Sequence, residues 1–309
     1  MKKKIQIRLG GYGPPETSFS KALKFIGNGL ASEYGDDIDI KYIWNIMDLG
    51  FQGEDILWLV EHGFLTIGYQ STSYLTERVP ELGFVDLPFL FKNNKDARNA
   101  MDGKLGKHLS TLLDNQINYK TLGFFENGFR HISNRLKPIR SPEDLKNMRI
   151  RVLPSEVQAR TFQLMGAQPV ILDLSEAIEG IKKETLDAQE NPFANTVTYG
   201  VHKFHPYHTM SKHFYISRAL MMHRTTYYSL PDEIKDSLME LTNQSIKQQR
   251  KEAEKEVVKS KKLIEEEGCQ IVELTSNEER KFSDCVKPQL LEARKNFGNT
   301  MFKMLENLE

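Results

Sequence analysis

The segment 231–268, PDEIKDSLMELTNQSIKQQRKEAEKEVVKSKKLIEEEG, opens on a proline and stops on a glycine, with neither residue in between. Proline suits the first helical turn and glycine the left-handed cap beyond the last, so the stretch predicts one helix over about 231–267. At ~1.5 Å per residue it would reach roughly 55 Å, longer than one small lobe is wide, and is expected to span two. Its Glu/Lys-rich middle also suits a coiled-coil dimerisation arm, but the apolar positions from Ser245 to Glu256 are too sparse for heptads. A monomer is expected.

The rest of the chain alternates. Strand-like IQIRL (5–9), helix-like TSFSKALKFIGNGLASEY (17–34), strand-like IDIKYIW (38–44), a helical 54–63, an apolar 64–70, a helix around 95–115 and a strand at 120–125 follow one another. A second series starts at FRHISNR. Ser141 caps a short helix with Pro142 at its first position and Asp144 three residues after the cap, then the strand MRIRVL follows. EVQARTFQLMG reads as a helix ended by Gly166, QPVIL as a strand, and SEAIEGIKKET as a helix capped by Ser175. This is α/β rhythm, and 309 residues exceed what one hydrophobic core usually holds, so two lobes are expected.

Lys plus Arg equals Asp plus Glu at 42 each, which gives no net field for nucleic acid or an anionic membrane; any anion specificity must be local. No apolar run approaches the roughly 18–20 residues of a spanning helix. The basic opening MKKK leads into an apolar stretch broken by Gln6 and Arg8, which is not a secretory core. Cys269 and Cys285 lack the number and spacing of a disulfide scaffold or zinc site, and free thiols are expected.

GGYGPPE (10–16) sits where a dinucleotide fingerprint would, but lacks the third glycine and carries two prolines. HKFHPYHTMSKHF offers His202, His205, His208 and His213; the spacing matches no zinc motif and Pro206 breaks any helix, so histidines scattered over the surface and a lobe interface are expected, with no metal and no cofactor. No GxSxG elbow occurs. Arg130 and Arg151 stand within strand patterns, where a guanidinium fork can be aimed at a carboxylate; a surface or salt-bridged arginine is the plainer alternative for each.

In these contexts the chain resembles the DctP-type periplasmic solute-binding proteins of TRAP transporters, from about residue 5 to about residue 270. DLPFLFKNNKDARNAMDGKLGKHL, LGFFENGFRHISNRLKPIRSPEDLKNMRIRV and LSEAIEGIKKETLDAQENP carry the resemblance. It implies a type II-like periplasmic-binding-protein fold, two α/β lobes with mixed sheets flanked by helices: 1–127 plus 217–255, and 128–216 plus 256–309. It implies that Arg151 pairs with a ligand carboxylate, Arg130 is a second donor and Asn191 orients the same group. Leu174 falls where relatives often carry an aromatic, and Asn195 and His213 at other wall positions. On the first lobe the loop from Tyr12 to Glu16 and the strand end at Tyr69 to Ser73 would add contacts, Gln70 and Glu16 foremost. Asn147 and Ala188 stand where relatives carry glycine. The implied role is a receptor that closes by hinge bending on a small organic carboxylate and delivers it to a membrane permease, in the periplasm after removal of a signal peptide, without catalysis. A ligand sensor with the same pocket, or an enzyme using His213 or Glu190, are the rival readings.

Overall fold

The computed structural model describes residues 4–305; the basic opening at 1–3 and the final residues 306–309 of the expected second lobe lie outside the described residues. The chain divides into two compact units: one runs up to Thr72 and takes in Gly106–Glu126 and Ser217–Glu254, the other comprises Ser73–Leu105, Asn127–Ile216 and the chain from Lys255 onward.

The first half of the chain runs β1 (Ile5–Gly10), α1 (Ser18–Tyr34), β2 (Ile38–Ile43), α2 (Asp55–Glu61), β3 (Ile67–Ser71), α3 (Asn94–Asp102), α4 (Lys104–Gln116), β4 (Tyr119–Phe129) and β5 (His131–Asn134). Then come β6 (Arg149–Val152), α5 (Glu156–Leu164), β7 (Gln168–Ile171), α6 (Leu174–Lys182), β8 (Ala188–Asn191), α7 (Phe193–Thr198), β9 (Tyr207–Thr209) and β10 (Tyr215–His223). The chain closes with α8 (Arg224–Ser229), α9 (Asp232–Glu266), β11 (Gln270–Val272), α10 (Ser276–Cys285) and α11 (Lys287–Lys303), the last kinked at Gly298.

Two mixed sheets result, in the orders β2-β1-β3-β10-β4 and β11-β9-β5-β8-β6-β7. In the first, β1 is parallel to β2 and β3 while β10 runs antiparallel to β3. In the second, β6 is parallel to β7 and β8, and β5 is antiparallel to β8 and β9.

Helix α9 shows why a polar sequence can still be a docked helix. Thirty-five residues at ~1.5 Å each make it roughly 52 Å long. Its middle packs through hydrogen bonds: Gln249 Oε1 accepts from Glu126 N at 2.9 Å while its Nε2 donates to Glu126 O at 2.9 Å, and Ser245 Oγ donates to Ala22 O at 3.1 Å. Buried amide and hydroxyl groups with both partners in place substitute for the missing heptad residues. Helix α9 packs closely on α1 at Gly29, where a Cβ would lie 2.4 Å from the Leu241 Cδ2 terminal carbon.

Three expectations are corrected. The helix expected over 95–115 is two, α3 and α4, broken at Gly103, where a Cβ would meet Asn99 O at 2.6 Å. The cap of α6 is Asp173 rather than Ser175: its carboxylate accepts from Ser175 N at 3.0 Å and Ser175 Oγ at 2.5 Å, and Glu176 completes a capping box. The segment Ser73–Leu105 groups with the second unit instead of the first. Its ties explain this: Ser73 Oγ donates to Asp86 Oδ1 at 2.8 Å and accepts from Gln158 Nε2 at 2.9 Å, Phe89 N donates to His213 O at 2.8 Å, and the Phe91 ring meets Tyr215 edge-on. Asn147, in the turn before β6, takes φ 66°, a left-handed conformation that asparagine tolerates better than most residues.

Candidate functional site

Strand β8 organises the site. Its neighbours pair Arg151 with Gln189, Ile150 with Ala188, His131 with Asn191 and Ile132 with Glu190. Side chains alternate across a strand and paired residues share a face. Arg151, Gln189, Asn191 and His131 therefore lie on one face. Ile150, Ala188, Ile132 and Glu190 lie on the other, where the three apolar residues join the core around Phe162, Phe214 and Phe282. The pleat thus separates residues that the chain sets side by side.

Arg151 is 1% exposed. Its Nε donates to Leu172 O at 3.0 Å and its Nη2 to the Tyr74 hydroxyl at 3.0 Å. That hydroxyl in turn donates to Asp173 Oδ2 at 3.2 Å. Burial, assisted by Asp173 and opposed by Arg151, raises the phenol far above its ordinary value, so Tyr74 keeps its proton. Among the described residues no carboxylate stands within 4.0 Å of the Arg151 guanidinium, and the nearest compensation reaches it through Tyr74. A buried cation without a counter-ion is costly until an anion arrives.

Arg130 is in the opposite condition. Its guanidinium grips Glu190 through Nε to Oε2, through Nη2 to Oε1 at 2.8 Å, and through Nη2 to the Glu190 carbonyl at 2.6 Å. His213 Nε2 lies 3.4 Å from Glu190 Oε2, and its Nδ1 pairs with Ser211 Oγ at 2.7 Å. Burial alone would raise the Glu190 carboxyl; Arg130 and His213 outweigh it and hold the group below its ordinary value. Burial lowers the His213 imidazole, with Glu190 opposing. Arg130, expected as a second ligand donor, has its charge compensated by protein, and His213 backs that pair. Nη1 is the Arg130 nitrogen outside these bonds.

Asn191 belongs to a chain of amides on the Arg151 face: its Nδ2 donates to Gln189 Oε1 at 3.2 Å, and its Oδ1 accepts from Asn195 Nδ2 at 3.1 Å. Asn195 Nδ2 also donates to Asn127 Oδ1 at 3.1 Å. Leu174 is the first residue of α6 and is buried. On the other unit Gln70 is buried on β3, its Nε2 donating to Gly53 O at 2.8 Å and its Oε1 accepting from Ser71 N at 2.8 Å, while Glu16 is exposed. Also there, Arg218 on β10 packs its guanidinium 3.9 Å from the Phe19 ring centre and 4.8 Å from that of Tyr12.

The histidines depart from expectation: His202, His205, His208 and His213 are all buried, not scattered over the surface. His205 pairs with Ser133 Oγ at 3.0 Å and His202 with Glu267 at 3.0 Å. Among the described residues no group of three or more His, Cys, Asp or Glu is placed to hold a metal ion, and Cys269 and Cys285 are free. Sequence reasoning missed Tyr74, Asp173, Gln189 and Asn127. Gln189 lay within the QENP match and Asn127 within the ENGFR match, and both were legible there; nothing local marked the other two.

Two mixed α/β units are present, and in one of them a buried arginine with neutral partners stands near the carboxyl ends of parallel strands, where open α/β sheets gather their ligands. The chain belongs to the bacterial extracellular solute-binding protein family 7, the DctP family, whose model matches residues 18–296. The 2,3-diketo-L-gulonate-binding periplasmic protein YiaO of Escherichia coli (strain K12) is 26% identical over 68% of this chain and 63% of its own length. Among solved structures, the sugar acid binding protein DctPAm of Advenella mimigardefordensis in complex with galactonate superposes with a TM-score of 0.93, at 25% identity, over 100% of this chain and 99% of that one. A TRAP periplasmic solute-binding protein of Shewanella oneidensis with bound succinate gives a TM-score of 0.93 at 21% identity over 99% of each chain.

Proposed function

We propose that this chain captures a small organic carboxylate for a TRAP membrane permease, with Arg151 as the anchor of the carboxylate. The observation that carries the reading is the charge state of the site: Arg151 is buried with two neutral acceptors and, among the described residues, no counter-ion, whereas Arg130 is neutralised by Glu190. An arriving carboxylate supplies the missing charge and charge-assisted hydrogen bonds. Asn191, on the same face, orients that group, and Arg130 adds at most the one nitrogen, Nη1, that Glu190 leaves. The periplasm as the place of action is supported by the printed names of the relatives, and the acids they hold, galactonate and succinate, support the ligand class. Glu190 and His213, the groups a catalytic reading would use, are tied to each other and to Arg130 on the core face.

Calorimetry against dicarboxylates, sugar acids and keto acids, each beside its neutral primary amide, tests the reading. At least one acid should bind, and its amide should bind far more weakly. An amide that binds as tightly as its acid would remove Arg151 from the role of anchor.

A further inference from the structure

The amides beside Arg151 have hydrogen-bonding capacity left over, and its polarity is specific. Gln189 Nε2 donates to Thr196 Oγ1 at 3.3 Å, Asn191 Nδ2 to Gln189 Oε1 at 3.2 Å, and Asn195 Nδ2 to both Asn191 Oδ1 and Asn127 Oδ1 at 3.1 Å. A primary amide carries two N–H donors and a carbonyl oxygen with two lone pairs. Asn195 has therefore spent both its hydrogens and none of its carbonyl, and Asn127 has spent a lone pair and neither hydrogen. Asn127 and Asn195 are 7% and 8% exposed, and among the described residues neither Asn127 Nδ2 nor Asn195 Oδ1 is an unbonded atom sealed from solvent. They form a recessed but open donor and acceptor, fixed by the bond between the two residues.

Of the groups an organic acid commonly carries besides its carboxylate, a hydroxyl matches such a pair with a single oxygen, accepting from the Asn127 N–H while donating to the Asn195 carbonyl. A second carboxylate is a poor fit, because it only accepts and two neighbouring arginines of this unit are already neutralised, Arg130 between β4 and β5 by Glu190 and Arg149 on β6 by Asp187. A methylene satisfies neither atom and would take both out of water unpaired. Asn191 stands two residues beyond the position paired with Arg151, about 6.6 Å along the strand, so the carboxylate and the hydroxyl-reading pair are separated by the reach of a few carbon atoms.

Resting on the carboxylate reading above, we propose that the ligand is a hydroxy acid, and that Asn127 and Asn195 form the subsite that reads a hydroxyl near its carboxylate. A site built to hydrogen-bond a hydroxyl discriminates strongly against the analogue lacking it. The test is calorimetry with pairs of equal charge and chain length that differ in hydroxylation: glycerate and propionate, malate and succinate, gluconate and hexanoate. In the unaltered protein the hydroxylated member of at least one pair should bind about 10-fold or more tighter than its partner. Asn127→Ala, checked for an unchanged melting profile, should shrink that ratio to within about 3-fold by weakening the hydroxylated acid alone. Acids that bind without preference for the hydroxylated member in every pair overturn this proposal and leave the carboxylate reading standing, and so does an unchanged ratio in folded Asn127→Ala. Binding of none of the six overturns both. The comparison in the unaltered protein decides the matter even if Asn127→Ala does not fold.

Discussion

Replacing each of the two strand arginines by methionine should give opposite phenotypes, although both are buried and both are expected to touch ligand on sequence grounds. Methionine keeps the length of the apolar stem and removes only the fork. At Arg151 the change deletes a cation whose protein partners are the Leu172 carbonyl and the Tyr74 hydroxyl, the latter still bonded to Asp173. Losing those two bonds costs about 1–2 kcal/mol, and removing an uncompensated buried charge offsets it, so stability should shift by no more than about 1 kcal/mol. Binding should suffer instead: one charge-assisted bond to a carboxylate is worth about 1.5–3 kcal/mol, so affinity should fall by at least roughly 2 kcal/mol, about 30-fold. At Arg130 the change strands Glu190, which is 0% exposed and keeps only His213 at 3.4 Å, at a cost of about 3–5 kcal/mol. The sign of its pH dependence follows. In the unaltered protein Glu190 lies below its ordinary 4.5; without Arg130 burial would raise it above, so the stability deficit should grow as pH rises from 4.5. Urea unfolding at two pH values gives the stabilities and calorimetry the affinities. If Arg151→Met destabilises as much as Arg130→Met, or binds the cognate acid unchanged, the assignment of roles from charge compensation is refuted.

Tyr74→Phe should weaken acid binding by about 0.5–1.5 kcal/mol, since it removes the oxygen that joins Arg151 to Asp173 and leaves the guanidinium less well held; an unchanged dissociation constant would show that Arg151 needs no such brace. Burial depresses His131 and His205 to about 3 and His208 to about 4, against an ordinary 6.5, with neighbouring positive groups adding to the first two. The unfolded chain then binds more protons than the folded one below pH 6.5. Their contribution is intact above that value and lost as pH falls, at up to ~4 kcal/mol per pH unit for three histidines together. His205→Gln should flatten the slope measured by urea unfolding between pH 6 and pH 5 by about a third. Gly29→Ala sets a Cβ against the terminal carbons of Leu241, which can shift, and gains about 1 kcal/mol of helix propensity, so the net effect should be within about 1 kcal/mol, whereas with Leu241 trimmed to alanine the same change should stabilise by about 1 kcal/mol; equal effects in both backgrounds, by urea unfolding, would contradict the close packing of α1 on α9.

Much of the fold was legible because its signals are local. Proline at 231 and glycine at 268 bound α9, period-2 runs mark β1, β2 and β6, and Ser141 with Asp144 forms the capping box expected of it. The family contexts around Arg130, Arg151 and Asn191 were legible for the same reason. What a local pattern cannot contain is pairing. Glu190 adjoins Asn191 in the chain, yet the pleat turns it to the core face, where it meets Arg130 from sixty residues away. Register and parity, set by long-range strand pairing, decide which arginine is neutralised by a carboxylate and which keeps neutral partners. Tyr74 reaches the site from a segment with no motif of its own, Asn127 lies in the ENGFR stretch but finds Asn195 only across the fold, and the polar middle of α9 is docked because the Glu126 backbone stands opposite Gln249. The residue types and their spacing alone determined an α/β chain with one long helix and left Arg130 and Arg151 open between a ligand and a salt bridge; tertiary structure decided which of the two charges is compensated, because compensation is a matter of distance in space and not along the chain.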